Sequence, residues 1–394
     1  MPRTIPWALL VGVLVVLAYA PSLSGGWVWD DHYVVAANPS LSAPWRLFVE
    51  DPWSPTGVQT SDIYRPLSML SHVPGQALWP GPLSERLLSL FLHLVAIGAV
   101  ASLGIQAGAG RGPAWLGAAL FGVHAGASEP VAWICGRHDL LAAVLTLVGL
   151  VLLRRRPLTA GLLCGLAAWA KEPYLLAPGV LVLAMVAGRT WSWRAAIPAF
   201  AVAGASLLAR VAVGLPLGAG AARADPLGGV GALGLRLGTL ALRPDLADAL
   251  PRYHPAPAAG IALLLVLTVL AVLVLAAPDL RLRLGLTPLV GGLLIALPGG
   301  LAAATLGLVG DRYGYFAFAG LGVLAAVFVD RLLERAPRVA PLLVALPLLL
   351  ALSTAGRAAE WTSDRAVFSA SLRQDPENSF AAFHLAHALQ VYEG

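Results

Sequence analysis

The stretch IPWALLVGVLVVLAYAPSLSG, residues 5–25, decides what kind of chain this is. Met1-Pro-Arg-Thr ahead of it and small residues behind it give it the outline of a secretory leader. Its apolar core of about 16–18 residues lies at the upper edge for a leader and near the ~20 that cross a bilayer. The remainder of the chain decides between the two. Apolar runs recur at 87–107, 113–128, 139–153, 158–172, 174–188, 195–213, 258–277, 286–308, 313–330 and 338–355. With 5–21, read as a retained first span, they make about eleven. Several, such as 139–153 and 158–172, are short enough to be tilted or re-entrant pieces. The expected fold class is all-α: a polytopic membrane helical bundle of about eleven transmembrane helices. A large first outer loop and a short helical C-terminal tail complete it.

Composition agrees. Of 394 residues, 58% are hydrophobic and 12% charged, against about 25% charged in a soluble domain. A soluble fold cannot bury that much apolar surface. Lys171 is the only lysine, so the net charge of +5 is carried by arginine. Those arginines form no basic stripe interleaved with aromatics, which argues against nucleic acid as a partner. Cys135 and Cys164 fall in or beside apolar segments and read as small buried hydrophobes, not as a disulfide framework or metal site.

Arginine placement orients the spans. With the N-terminus cytoplasmic, the inner turns carry Arg111, Arg154, Arg155, Arg156, Arg189, Arg194, Arg281, Arg283, Arg331, Arg335 and Arg338, with Arg3 at the start. Of the carboxylates, only Asp279, Asp330 and Glu334 fall on that side. The long outer segments are the loops 22–86 and 214–257 and the tail. This divides the chain into a transmembrane domain over 1–356 and a tail over 357–394. No internal repeat of the transporter kind is evident.

Ionisable residues at membrane depth are costly and mark function. Here they gather at outer helix ends. The first loop offers Asp30, Asp31, His32, Tyr33 and Asn38, then Tyr64-Arg65-Pro66. HAGASEPVAWICGRHDLL adds His124, Glu129, Trp133, Arg137, His138 and Asp139. AWAKEPY adds Lys171 and Glu172, and GDRYGY adds Asp311, Arg312, Tyr313 and Tyr315. Each cluster has a plainer reading. Asp30-Asp31 can cap a short helix, the basic and acidic neighbours can be interfacial pairs or snorkel, His124 can be a satisfied structural histidine, and the tryptophans at 27, 29, 45 and 53 suit a membrane belt. Four clusters on one side nevertheless suggest the walls of one cavity.

These residues carry a resemblance. WVWDDHYVVAANPSL (27–41), YRPLSML (64–70), EPVAWICGRHDLLAA (129–143), AKE (170–172), DRYGY (311–315) and EWTSDRAVFSASLRQDPENSFAAFHLAHAL (360–389) resemble, in the same order, the membrane glycosyltransferases of the C superfamily. Within it, the chain is similar to the multi-span proteins with a tetratricopeptide tail whose animal members are O-mannosyltransferases. The resemblance implies transfer of a sugar from a polyprenyl-phosphate carrier to an acceptor hydroxyl on the extracytoplasmic face, with inversion. It implies Asp30 or Asp31 as the catalytic base or positioning carboxylate, and Arg65, Arg137, Lys171 and Arg312 as ligands of the lipid phosphate. Tyr64, His124, Glu129, Asp139, Glu172, Asp311 and Tyr313 complete the expected substrate site.

The chain also departs from that pattern. The His-Pro-x-His run expected before the Glu is His124-Ala125-Gly126-Ala127, so its second histidine is absent. The tail reads as a lead-in helix and the first helix of one repeat, where about three repeats share a core; this weakens the case for a protein acceptor. Sugar transfer needs a base, cations for the departing phosphate and a greasy groove for the prenyl chain. The Asp pair, the arginines with Lys171, and the apolar helix faces supply them. The motifs name no certain cofactor, and they also allow a divalent metal on Asp30 and Asp31. A flippase for lipid-linked sugars, a ligase of lipid-linked glycans and a non-catalytic membrane scaffold are the rival functions. The Ala-, Leu-, Gly- and Arg-rich composition fits a bacterial inner-membrane protein with a periplasmic first loop and tail, and undecaprenyl phosphate as carrier. The acceptor, protein or glycan, is left open.

Overall fold

A computed structural model describes residues 7–50, 63–215, 225–243 and 250–391, with the backbone alone over 302–306. Arg3 and Trp53 lie outside the described residues. The chain is all-α, with an isolated bridge between Arg252 and Leu308 as the one extended pairing among the described residues. The helices are α1 (Trp7–Leu23), α2 (Pro66–Leu70), α3 (Val73–Leu78), α4 (Pro82–Gln106), α5 (Arg111–Gly122), α6 (Ser128–Ala132), α7 (Arg137–Leu152), α8 (Pro157–Ala170) and α9 (Ala177–Ala187). Beyond them lie α10 (Trp193–Ala212), α11 (Pro226–Leu242), α12 (Pro257–Ala276), α13 (Leu280–Leu306), α14 (Tyr315–Arg335), α15 (Ala340–Glu360), α16 (Asp364–Gln374) and α17 (Ser379–Val391). Helices cover most of the described residues in each of the eleven expected apolar segments, with that over 113–128 broken. Six helices among the described residues are long and apolar enough to cross a bilayer, or seven if the bent pair Ala125–Ala132 and Arg137–Leu152 is one span. Trp7–Leu23, Pro157–Ala170, Glu172–Ala187 and Pro226–Leu242 are shorter apolar helices. The chain is a multi-pass membrane protein.

Two differences from the sequence expectation have physical causes. The run expected as one span over 113–128 stops at Gly122. His124 Nδ1 accepts the Gly126 N–H (3.2 Å), turning the chain into a short helix that meets α7 at 108°. The segment 214–257, expected as an outer loop, contains α11, whose glycines give it little intrinsic helix preference. That helix exists because it packs: a Cβ at Gly231 would collide with the Ala256 carbonyl oxygen at the start of α12, and one at Gly229 with the Gly300 carbonyl oxygen of α13. The glycines are contact surface, as in small-residue packing between membrane helices.

The turns expected to face inward gather at one end of the bundle, where Arg281 pairs with Asp330 (3.3 Å), Arg331 with Asp279, and the Gly110 N–H with Asp330 (2.9 Å). At the other end the tail helices α16 and α17 dock. Arg252, just ahead of α12, pairs with Asp375 (2.9 Å from Nη2 to Oδ1), and Asn378 donates to the Leu250 carbonyl (2.9 Å). The same short segment bonds to the end of α13, Val309 N–H to Pro251 (2.9 Å) and Tyr253 N–H to Gly307 (2.9 Å). The tail is thus tied to the bundle through residues 250–253.

Candidate functional site

The first loop leaves α1 and lies against the break between α6 and α7. Trp133 Nε1–H donates to the Val28 carbonyl (3.2 Å), and Trp29 stacks on Trp133 with ring centroids 5.0 Å apart. Arg86 of α4 donates to the Gly26 carbonyl (2.6 Å) and to the Ala132 carbonyl, joining both sides of this seam. A π-helical turn over His32–Ala36 comes directly after.

The tandem acids separate here. Asp31 is buried, and both its oxygens are used: Oδ2 accepts the Val28 N–H (3.1 Å) and Oδ1 the Cys135 N–H (2.9 Å). Asp31 therefore fastens the loop to the α6–α7 break. Asp30 is only partly buried, and its carboxylate makes no hydrogen bond or ion pair among the described residues. Burial and the neighbouring Asp31 charge push its carboxyl up to about 7, against the opposing pull of Arg312 and Arg65. Burial also raises Asp31, to about 6, with Arg86 and the hydrogen bonds from Cys135 and Val28 opposing. A carboxyl near 7 suits a general base at neutral pH.

Around Asp30 the expected residues interlock. Glu129 of α6 pairs with the Arg312 guanidinium and accepts the Arg312 backbone N–H (2.8 Å). Asp139 of α7 pairs with Lys171 and lies 3.8 Å from Arg312 Nε. Tyr313 offers its ring to both cations, 4.9 Å from Arg312 and 5.0 Å from Lys171. Glu172 pairs with Arg65 (2.9 Å) and lies 3.8 Å from Arg210 Nη1. Tyr64 donates its N–H to Glu172 (3.4 Å) and its hydroxyl to the Phe48 carbonyl (2.8 Å). Asp311 closes the far side through Arg236 of α11 (2.6 Å). Segments from six parts of the sequence thus meet at the tail end of the bundle.

Two expected residues sit elsewhere in role. Arg137 is fully buried, paired with Glu85 (2.6 Å) and bonded to Ser89 (3.1 Å) beneath His72. Burial and Arg137 hold His72 down to about 4, so it is neutral and donates from Nδ1 to Glu85 (2.8 Å). Arg137 has no open face toward a phosphate, because its donors are spent inside the α3–α4–α7 packing. His124 stacks on Phe318 (4.3 Å between centroids) and caps its turn. Asp31 already accepts one backbone N–H on each oxygen, so of the two acids it is Asp30 whose carboxylate has no partner among the described residues. Among the described residues no group of three or more His, Cys, Asp or Glu converges in a metal-holding arrangement.

Several residues here were not singled out from sequence: Glu85, Arg86, His72, Arg210, Arg236 and Asp364. Glu85, Arg86 and Arg210 were open to the same rule that found the others, being ionisable groups at or inside apolar helices. Asp364 carried no such signal, since it lies in a polar helix.

No family model matches the chain. It is 32% identical over 177 residues, 43% of its length, to protein O-mannosyl-transferase TMTC1 of Homo sapiens, and covers 20% of that protein. It is 34% identical over 157 residues to the Mus musculus protein of the same name, covering 16% of it. Protein O-mannosyl-transferase Tmtc2 of Drosophila melanogaster matches at 32% over 138 residues, with 15% covered. The chain therefore spans about a fifth or less of these relatives. A crystal structure of the Archaeoglobus fulgidus oligosaccharyltransferase, tethered with an acceptor peptide, aligns with 96% of this chain and 59% of its own at a TM-score of 0.45 and 13% identity. The motif resemblance to membrane O-mannosyltransferases is matched by similarity to proteins of that name.

Proposed function

We propose that the chain is a membrane glycosyltransferase that moves a sugar, mannose first among candidates, from a polyprenyl-phosphate carrier to a hydroxyl on a protein acceptor. The observation that carries this is the Asp30 carboxylate, without a partner among the described residues and within the fields of Arg312 and Arg65, on a loop fastened by Asp31. Similarity to O-mannosyl-transferases supports the sugar and the hydroxyl acceptor.

In this reading the acceptor oxygen attacks the anomeric carbon and Asp30 takes the hydroxyl proton. The bond from that carbon to the phosphate oxygen breaks, and polyprenyl phosphate leaves with the electron pair, inverting the centre. Arg65 is only partly covered and shares Glu172 with Arg210, so a phosphate can draw it from Glu172 at modest cost. Arg312 and Lys171, held by Glu129 and Asp139, stay fixed and stabilise the growing phosphate charge. Arginine-rich turns at the opposite end of the bundle support an extracytoplasmic site.

The test supplies radiolabelled mannose on a synthetic polyprenyl phosphate to membranes carrying the chain. Label in protein that is lost with Asp30→Asn supports the proposal. Unchanged transfer by Asp30→Asn overturns it, and movement of the intact donor across the bilayer without label transfer favours a flippase.

A further inference from the structure

Trp29 has φ +54°, in the left-handed region that a bulky residue rarely adopts and keeps only where its surroundings enforce it. It directly precedes Asp30, so its conformation sets where the Asp30 carboxylate points. Three things hold it. The Trp29 N–H donates to Asp364 Oδ1 (2.6 Å). The indole stacks on Trp133, which in turn stacks on Trp361 with centroids 5.5 Å apart. Phe368, Phe380 and His384 of the tail close its edges at 6.4, 5.7 and 6.1 Å. Asp364 Oδ2 meanwhile accepts from His32 Nε2 (2.9 Å), on the other side of the acid pair. One tail carboxylate therefore spans Asp30-Asp31, gripping the residue before and the residue after.

We infer that Asp364, at the start of tail helix α16, is a positioning residue: by clamping Trp29 and His32 it holds Asp30 aimed for chemistry, so that the tail governs turnover as well as packing. This rests on Asp30 being the base of the proposed transfer.

The experiment compares Asp364→Ala and Asp364→Asn in this chain reconstituted into vesicles, with radiolabelled polyprenyl-phosphate mannose as probe. Alanine removes both acceptors. Asparagine keeps an oxygen for the Trp29 N–H. Misplacing a catalytic group by about 1 Å costs roughly a hundredfold in rate. The expected result is therefore a kcat at least ~10-fold lower for alanine with donor KM unchanged, and recovery to within ~3-fold of wild type for asparagine. Amide hydrogen exchange over residues 27–34 supplies a readout that needs no turnover; it is expected to quicken in alanine and not in asparagine. A kcat for alanine equal to wild type, or equal losses in both variants with KM raised, overturns the inference. So does unchanged exchange over 27–34. Loss of transfer in Asp30→Asn alongside full activity in Asp364→Ala would defeat this inference and leave the Asp30 reading intact, whereas an active Asp30→Asn defeats the reading itself.

Discussion

Raising the pH from 6 to 8 is expected to switch transfer on, and the position of that limb is the sharpest test of Asp30. Its carboxyl is pushed up to about 7, chiefly by burial and then by Asp31. At pH 6 roughly a tenth of it is then ionised, so kcat/KM lies about 10-fold below its plateau at pH 8. A carboxylate at its ordinary value near 4 would give a flat profile over the same range. Asp30→Asn should lower the plateau by roughly 10²–10⁴-fold, the usual worth of a general base, and flatten what remains. Stability should move the other way. Folding raises this carboxyl, so its contribution is fully present below the unfolded value and is lost as pH rises through about 7. Moving a carboxyl from near 4 to about 7 disfavours the ionised form by up to about 4 kcal/mol, less for its partial exposure. Asp30→Asn is therefore expected to raise Tm at pH 8 and to raise it less at pH 5. The assay is label transfer in detergent-solubilised protein across that range, with thermal unfolding of the same preparations. A flat wild-type profile between pH 6 and 8 would refute the reasoning.

The same geometry sets expectations for four other positions. Arg65 pulls the Asp30 carboxyl down, so Arg65→Gln should shift the acid limb of the rate profile to higher pH and raise the donor KM; an unmoved limb contradicts their coupling. Arg137→Met strands the buried Glu85 and should cost about 3–5 kcal/mol. The double variant Glu85→Leu/Arg137→Met should recover most of that and still transfer sugar, which a phosphate-binding Arg137 would not allow. Arg312→Gln strands Glu129, 1% exposed, with a similar stability cost, visible as a Tm drop in detergent and loss of transfer together. Gly231→Val should loosen α11 from α12, since its Cβ meets the Ala256 carbonyl, and proteolysis of the segment 225–243 should quicken.

The bundle was legible because a bilayer imposes a coarse rule: long apolar runs become helices, and an ionisable residue near one needs a reason. That rule alone brought Asp30, Glu129, Asp139, Lys171 and Arg312 to one end. It did not separate Asp30 from Asp31, because the difference lies in which acid meets the backbone N–H groups of Val28 and Cys135, a matter of three-dimensional fit. Arg137 was misjudged for the same reason. Its partner Glu85 lies 52 residues earlier, and nothing local distinguishes an arginine buried against a distant carboxylate from one awaiting a phosphate. The helix α11 escaped notice because its glycines weaken every local helix signal, while the packing that rescues it involves α12 and α13. Asp364 escaped because its partners, Trp29 and His32, are more than 300 residues away.

The solitary lysine has a practical corollary. Lys171 is 3% exposed and shielded by Asp139 and the face of Tyr313. An amine-reactive reagent thus finds a single internal target on this chain, and finds it only when the innermost ring of charges loosens. The pace at which a mass tag accumulates at that one position becomes a direct clock for loosening of this charge cluster, and a ligand bound against it should slow it.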